Sequence, residues 1–275
     1  MKTGLPLILG LTLASLATGG ETVGISRPAE VETVDQNIYS SMACGPTSVL
    51  NAVKFGAPEV YQKLLGADDE TRLRFVIDRY FRKPSVTRDN AKRFEEAGGV
   101  GHKDLAAAMR DLAEEHGLPK VQSAEVVRKE DEKEREFLFR VHHALRTSLR
   151  NGVLPIVALR SQVSRQNPGT GEWKWEAMTD HFVVITSVPD RLHEGELGFA
   201  FEMIDPDGGY TSTSFIYTER RHEFAAFQGE SVEGQWLGGS RFLLVTAPRV
   251  YNLVDEKKAD WQSRILTTLS FFVGS

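Results

Sequence analysis

With 275 residues, 41% apolar side chains and a net charge of −5, the chain is long and apolar enough to bury a sizeable core. It carries no basic stripe of the kind that marks a nucleic-acid surface, so no nucleic-acid partner is expected. A single cysteine excludes an internal disulfide, and the fold must rest on its core.

Residues 1–20 read as a secretory signal peptide. Met1-Lys2 is a short basic start, "GLPLILGLTLASLATGG" an apolar run, and small residues follow at Ala14, Ser15, Ala17, Gly19 and Gly20. The run is short and broken by Gly, Ser and Thr, so no stable membrane insertion is expected after cleavage. A secreted or periplasmic chain follows, with residues 21–35 as a polar arm or linker.

From Gly45 the pattern is helical, with Val49, Leu50 and Val53 on one face and Gly56 as a stop. Asp68-Asp69-Glu70 opens a second helix, where the dipole favours acids, and Pro84 ends it. A Gly-rich loop, "EEAGGVGHKD", precedes a third, with Leu105, Ala108, Met109 and Leu112 inward. "RKEDEKERE" begins a fourth, whose buried side is Leu138, Val141, Leu145 and Leu149. After Asn151-Gly152 the character changes. "VLPIVALR", "HFVVITSV", "FAFEMID", "TSTSFIY" and "RFLLVTAP" read as strands, and "WQSRILTTLSFF" as a last helix or strand. Helices followed by strands predict an α+β fold in one domain. Its helical part spans 36–150, its β part 151–250 and its tail 251–275.

The only cysteine, Cys44, stands where a polar segment becomes a helix. A cysteine nucleophile needs its thiolate favoured, and a helix N-terminus does that. Gly45 would permit close approach of a substrate, Pro46 suits the first turn, and Thr47 and Ser48 could satisfy free N–H groups. Taken locally, a small buried core residue and a nucleophile are both open readings.

A nucleophile needs a base, and there are seven histidines. His142 and His143 are adjacent on a helix and read as packing or surface. His116 sits at a helix C-terminus, His102 in the Gly-rich loop, His193 in a turn and His222 in a polar stretch. His181 alone opens an apolar strand, where it would face a cleft. Asp205 closes the next strand. If the two strands pair as a hairpin, the start of one lies beside the end of the other, and His181 meets Asp205. Asp207, in "DPDGG", competes for the same role. No H-E-x-x-H, cysteine cluster, G-x-S-x-G or phosphate loop occurs, so neither a metal nor a cofactor is expected.

The stretches "CGPTS" at Cys44–Ser48, "HFVVITSV" at His181 and "IDPDGG" at Asp205 together resemble the C39-like branch of the papain-like cysteine peptidases. The resemblance runs from about Gln36 to Tyr210. It implies a papain-like fold, with a helical subdomain carrying the cysteine, packed on an antiparallel sheet that carries His and Asp. It also implies Gln36 as an oxyanion-hole residue, and hydrolysis of a peptide or isopeptide bond in a peptide or protein substrate by Cys44, His181 and Asp205. Acyl transfer to an amine uses the same residues. A non-catalytic binding module could retain them without chemistry.

Overall fold

Residues 21–25, 32–166, 169, 173–218, 242–247 and 264–275 are described by the computed structural model. The proposed signal segment and His222 lie outside them. The strand predictions converge on one long element. Trp173-Lys174-Trp175 and "HFVVITSV" belong to a single strand, Trp173–Pro189. His181 is therefore mid-strand rather than strand-initial.

In chain order the strands are β1 (Thr22–Gly24), β2 (Phe94–Glu95), β3 (Gly99–Val100), β4 (Gln122–Glu125), β5 (Ile156–Gln166), β6 (Trp173–Pro189), β7 (Gly198–Asp205), β8 (Tyr210–Tyr217), β9 (Leu243–Thr246) and β10 (Arg264–Gly274). The main helices are α1 (Cys44–Gly56), α2 (Pro58–Lys63), α3 (Asp69–Val76), α4 (His102–His116) and α5 (Glu134–Arg150). A 3₁₀ turn covers Gln36–Ile38, and α3 runs on into a π-helical segment at Ile77–Phe81.

The sheet corrects the expected fold. Strand order is β6-β5-β10-β9-β8-β7, and β7 pairs back onto β6. Every pairing is antiparallel. Six strands thus close into a barrel, with β1 added on β6 and β4 on β10. This is not a papain-like helical subdomain set on an open sheet, and the papain-like α+β assignment is withdrawn. The helices share one continuous core with the barrel instead of forming a unit of their own. Residues 264–274, placed in a tail by the sequence, form β10 between β5 and β9. Closure depends on which remote edges meet, and local periodicity does not encode that.

Register fixes what faces inward. Leu159 pairs with His181 and Leu269, Val157 with Val183, and Ile185 with Met203. Phe201 pairs with Ser214, Phe199 with Ile216, and Ile216 with Val245. These residues are buried and line the barrel interior, whereas Ala200, Glu202, Phe215 and Thr246 on the alternate face are exposed. His181 and Asp205 belong to the inward set. On the outer face, Phe182 and Val184 of β6 and Ala158 of β5 are covered, and α1 and α5 contact β6.

The helices end where their sequences dictate. Asp68 caps α3 through a reciprocal capping box with Thr71. Gly117 ends α4 at φ 67°, a left-handed conformation that glycine adopts without strain. The buried side of α5 includes Phe137, Leu138, Val141, Leu145 and Leu149, as the periodicity implies. Among the described residues no helix is long and apolar enough to cross a membrane.

His142 of α5 is buried, its Nε2–H donates to the Pro189 carbonyl at 2.7 Å, and Phe199 stands edge-on to its ring. Burial lowers its pKa, against the carbonyl hydrogen bond that favours the charged form. The unfolded chain therefore takes up this proton first as pH falls, so the contribution is present above about 6.5 and lost on acidification. Denaturant midpoints should decline between neutral pH and pH 5, and His142→Gln should flatten that decline. Equal slopes in the two proteins would contradict this.

Candidate active site

Cys44 is the first residue of α1 and is partly buried. The preceding N-cap, Ala43, offers no side-chain acceptor, so the first-turn N–H groups lack a side-chain cap. Thr47 and Ser48 do not supply one. Thr47 Oγ1 is buried without a partner, and Ser48 Oγ donates to the Phe182 carbonyl at 3.0 Å. That bond ties α1 to β6 one residue beyond His181.

Gly45 serves packing rather than substrate access. It is buried, and a Cβ there would stand 2.2 Å from Val100 Cγ1, 3.3 Å from Leu105 and 3.5 Å from Phe182. The β2–β3 hairpin, α4 and β6 thus converge on the residue after the cysteine. The sequence reading did not foresee this hairpin. Phe94 pairs with Val100 across it, and Gly99 turns it at φ 68° against Met42.

His181 is 2% exposed and Asp205 2% exposed. His181 Nε2 lies 2.6 Å from Asp205 Oδ1. The Cys44 thiol acts on the same imidazole electrostatically and favours its charged form. Nε2 is committed to the carboxylate, so Nδ1 is the nitrogen left for the thiol. Burial alone would push the imidazole pKa down. The hydrogen bond to Asp205, together with the charges of Asp205 and Cys44, outweighs it and raises His181 to about 10. The ring is therefore an imidazolium at neutral pH. The Asp207 N–H donates to Asp205 Oδ1 at 2.9 Å, fixing the carboxylate from behind. Asp205, not Asp207, meets the histidine.

The strand-order reasoning accounts for this meeting, with one adjustment. Val184 pairs with Ile204, so Asp205 continues along β7 toward the His181 end of β6. Both side chains share the inward face at the barrel rim. Asp180 points to the opposite face, where Arg160 holds it through two bonds of 2.8 and 2.9 Å and His102 Nε2 stands 3.3 Å away. Burial opposes its charge, yet these partners lower its pKa to about 2. The His102 ring stacks on Phe271 at 4.7 Å and meets Phe182 edge-on. His102 thus braces the outer side of β6 through Asp180 and Phe182.

Gln36 sits in the 3₁₀ turn and is 3% exposed. Its Nε2 donates to the Ser41 carbonyl at 2.6 Å, three residues before Cys44, and its Oε1 is buried without a partner. Its own N–H donates to the Pro206 carbonyl at 2.8 Å, just after Asp205. All four expected residues are therefore linked within one region. His116, by contrast, contacts the Tyr80 hydroxyl at 3.1 Å at the end of α4. Among the described residues no cluster of His, Cys, Asp and Glu could hold a metal ion.

Gly45→Ala should destabilise the protein by about 1–3 kcal/mol through overpacking against Val100. Adding Val100→Ala should recover part of that loss. A double variant no more stable than Gly45→Ala alone would contradict the assigned contact. Comparisons of the chain with protein-family models, with curated proteins and with solved structures returned no match in any of the three.

Proposed function

We propose that the chain is a cysteine hydrolase that cleaves a peptide or isopeptide bond through Cys44, His181 and Asp205. One observation carries the reading: a buried imidazole, bound by a carboxylate on one nitrogen, lies within electrostatic reach of the only thiol in the chain, at the start of a helix. A nucleophile, a base and an orienting group within reach of one another are what acyl transfer through sulfur requires. The motif likeness to the C39-like peptidases supports an amide as the bond cut, and the signal-like N-terminus supports action in a secreted or periplasmic setting.

The steps follow from the contacts. His181 holds the proton of the Cys44 thiol, and Sγ attacks the substrate carbonyl carbon. The Gln36 side-chain amide and the Cys44 backbone N–H are the donors for the oxyanion. Collapse breaks the C–N bond, and the imidazolium gives its proton to the leaving amine. Water then attacks the thioester, passing one proton to His181. The C–S bond breaks, the acid leaves and the thiolate–imidazolium pair is restored. Asp205 holds the ring in the tautomer and orientation that both proton transfers need.

Iodoacetamide at neutral pH should alkylate Cys44 faster than it alkylates glutathione, read by mass spectrometry. A Cys44 no more reactive than the free thiol would sink the activated-nucleophile claim. With casein peptides as substrate, new amino termini should appear with the wild type and not with Cys44→Ala. The proton on His181 is needed for the leaving amine, so the rate should hold into alkaline pH and fall as pH passes about 10. Asp205→Asn should lower the rate by about 10²-fold or more and move that alkaline limb down. An unmoved limb would contradict the role given to Asp205.

A further inference from the structure

We propose that Asp35 and Asn51 are positioning residues that hold the oxyanion donor Gln36 in register with both the nucleophile helix and the Asp205 turn. The inference rests on the hydrolase reading above and concerns residues that do not touch the reacting atoms. The site is assembled from segments far apart in sequence: the start of α1, the segment 33–37, and the turn that follows β7. Something must set their relative positions, because a misplacement on the scale of an ångström is enough to disable a preorganised site.

Asn51 lies seven residues beyond Cys44, about two turns along the same helix. It is 0% exposed. Its Oδ1 accepts the Val34 N–H at 2.8 Å, and its Nδ2 donates to the Val34 carbonyl at 3.0 Å. Both backbone groups of one residue are thus satisfied by one side chain, as a neighbouring strand would satisfy them. This fixes the 33–37 segment to α1 in position and in rotation.

Asp35 makes the second link. Its Oδ1 accepts the Asn37 N–H at 2.9 Å, capping the turn that holds Gln36, and the Gly208 N–H at 3.0 Å. Asn37 Nδ2 bridges Asp35 and Asp207, each at 3.0 Å. Thr33 Oγ1 donates to the Gly209 carbonyl. Gly208 and Gly209 lie at φ 81° and 61°, left-handed conformations that turn their amide groups toward the segment. Gln36 is therefore flanked by Val34, tied to the nucleophile helix, and by Asp35 and Asn37, tied to the turn whose Asp207 N–H fixes Asp205. Asp35 touches none of Cys44, His181 and Asp205, so its loss removes only the links from the Gln36 segment to Asn37 and Gly208 and loosens that segment.

This separation gives a readout that a merely structural residue would not produce. Alkylation by iodoacetamide needs the thiol and its base but forms no oxyanion. Acylation by p-nitrophenyl acetate needs the oxyanion donors as well. In the full chain, Asp35→Ala should slow acylation by roughly 10- to 100-fold while leaving the alkylation rate at the wild-type value. Asp35→Asn, which keeps the acceptor oxygen, should recover most of the acylation rate. Should Asp35→Ala fail to fold, Asn37→Ala removes only the exposed bridge and should show the same split in milder form. Acylation at the wild-type rate, or parallel loss of acylation and alkylation, would overturn the positioning role and leave the hydrolase reading standing. A wild-type chain that p-nitrophenyl acetate does not acylate at Cys44 would instead overturn the hydrolase reading itself.

Discussion

The pairing of β6 with β7 is the constraint on which the rest depends. It closes the barrel, and by the same register it brings Asp205 to His181 inside the rim. A hydrogen-bonded imidazolium and carboxylate, each almost fully buried, are costly to desolvate and gain their stability from each other. Removing one partner from such a pair destabilises by about 3–5 kcal/mol, because the other charge is left stranded. The pair is a poor means of stabilising a barrel, since apolar side chains at these positions would serve as well or better. The Cys44 thiol, at a helix start without a side-chain cap, is the further group that bears on this pair.

Around that pair the fold is a set of clamps on α1. Ser48 fastens the helix to the β6 backbone, Gly45 admits Val100, Leu105 and Phe182 to within contact distance, and Asn51 fastens the segment that carries Gln36. On the outer face of β6, Arg160, Asp180 and His102 form a charged brace, with the carboxylate held well below its ordinary range. The Cys44 thiol is thus only partly buried, while His181, Asp205 and Gln36 are nearly inaccessible. Such rigidity suits a site whose work is electrostatic preorganisation rather than closure around a substrate.

Much of this was legible in the residues. The amphipathic spacing of Val49, Leu50 and Val53 gave α1 its extent, and the alternation in "FAFEMID" marked β7 with Asp205 at its end. The meeting of His181 and Asp205 followed from antiparallel order alone. The barrel did not, because it also needs β10 to stand between β5, far away in sequence, and β9, held by a two-residue ladder, with nothing local to announce either. The β2–β3 hairpin escaped because two-residue strands carry no periodicity. Gly45 was misread for a related reason: a glycine at a helix start is compatible with substrate access and with close packing, and only the neighbours decide. Asn51 passed unnoticed as an ordinary polar residue inside a helix. Asn51 lies on the side of α1 away from Val49, Leu50 and Val53, so the apolar spacing gave no sign that it would be buried.

Cys44 and Asp205 together favour the charged form of His181. The ¹⁵N shifts of the His181 ring, followed through a pH titration of the wild type and of Cys44→Ala, test it most directly. The account requires a charged ring at neutral pH that loses its proton near pH 10 in the wild type, and at distinctly lower pH once the thiol is removed. A ring that titrates near the ordinary histidine value of about 6.5, unchanged by Cys44→Ala, would contradict it.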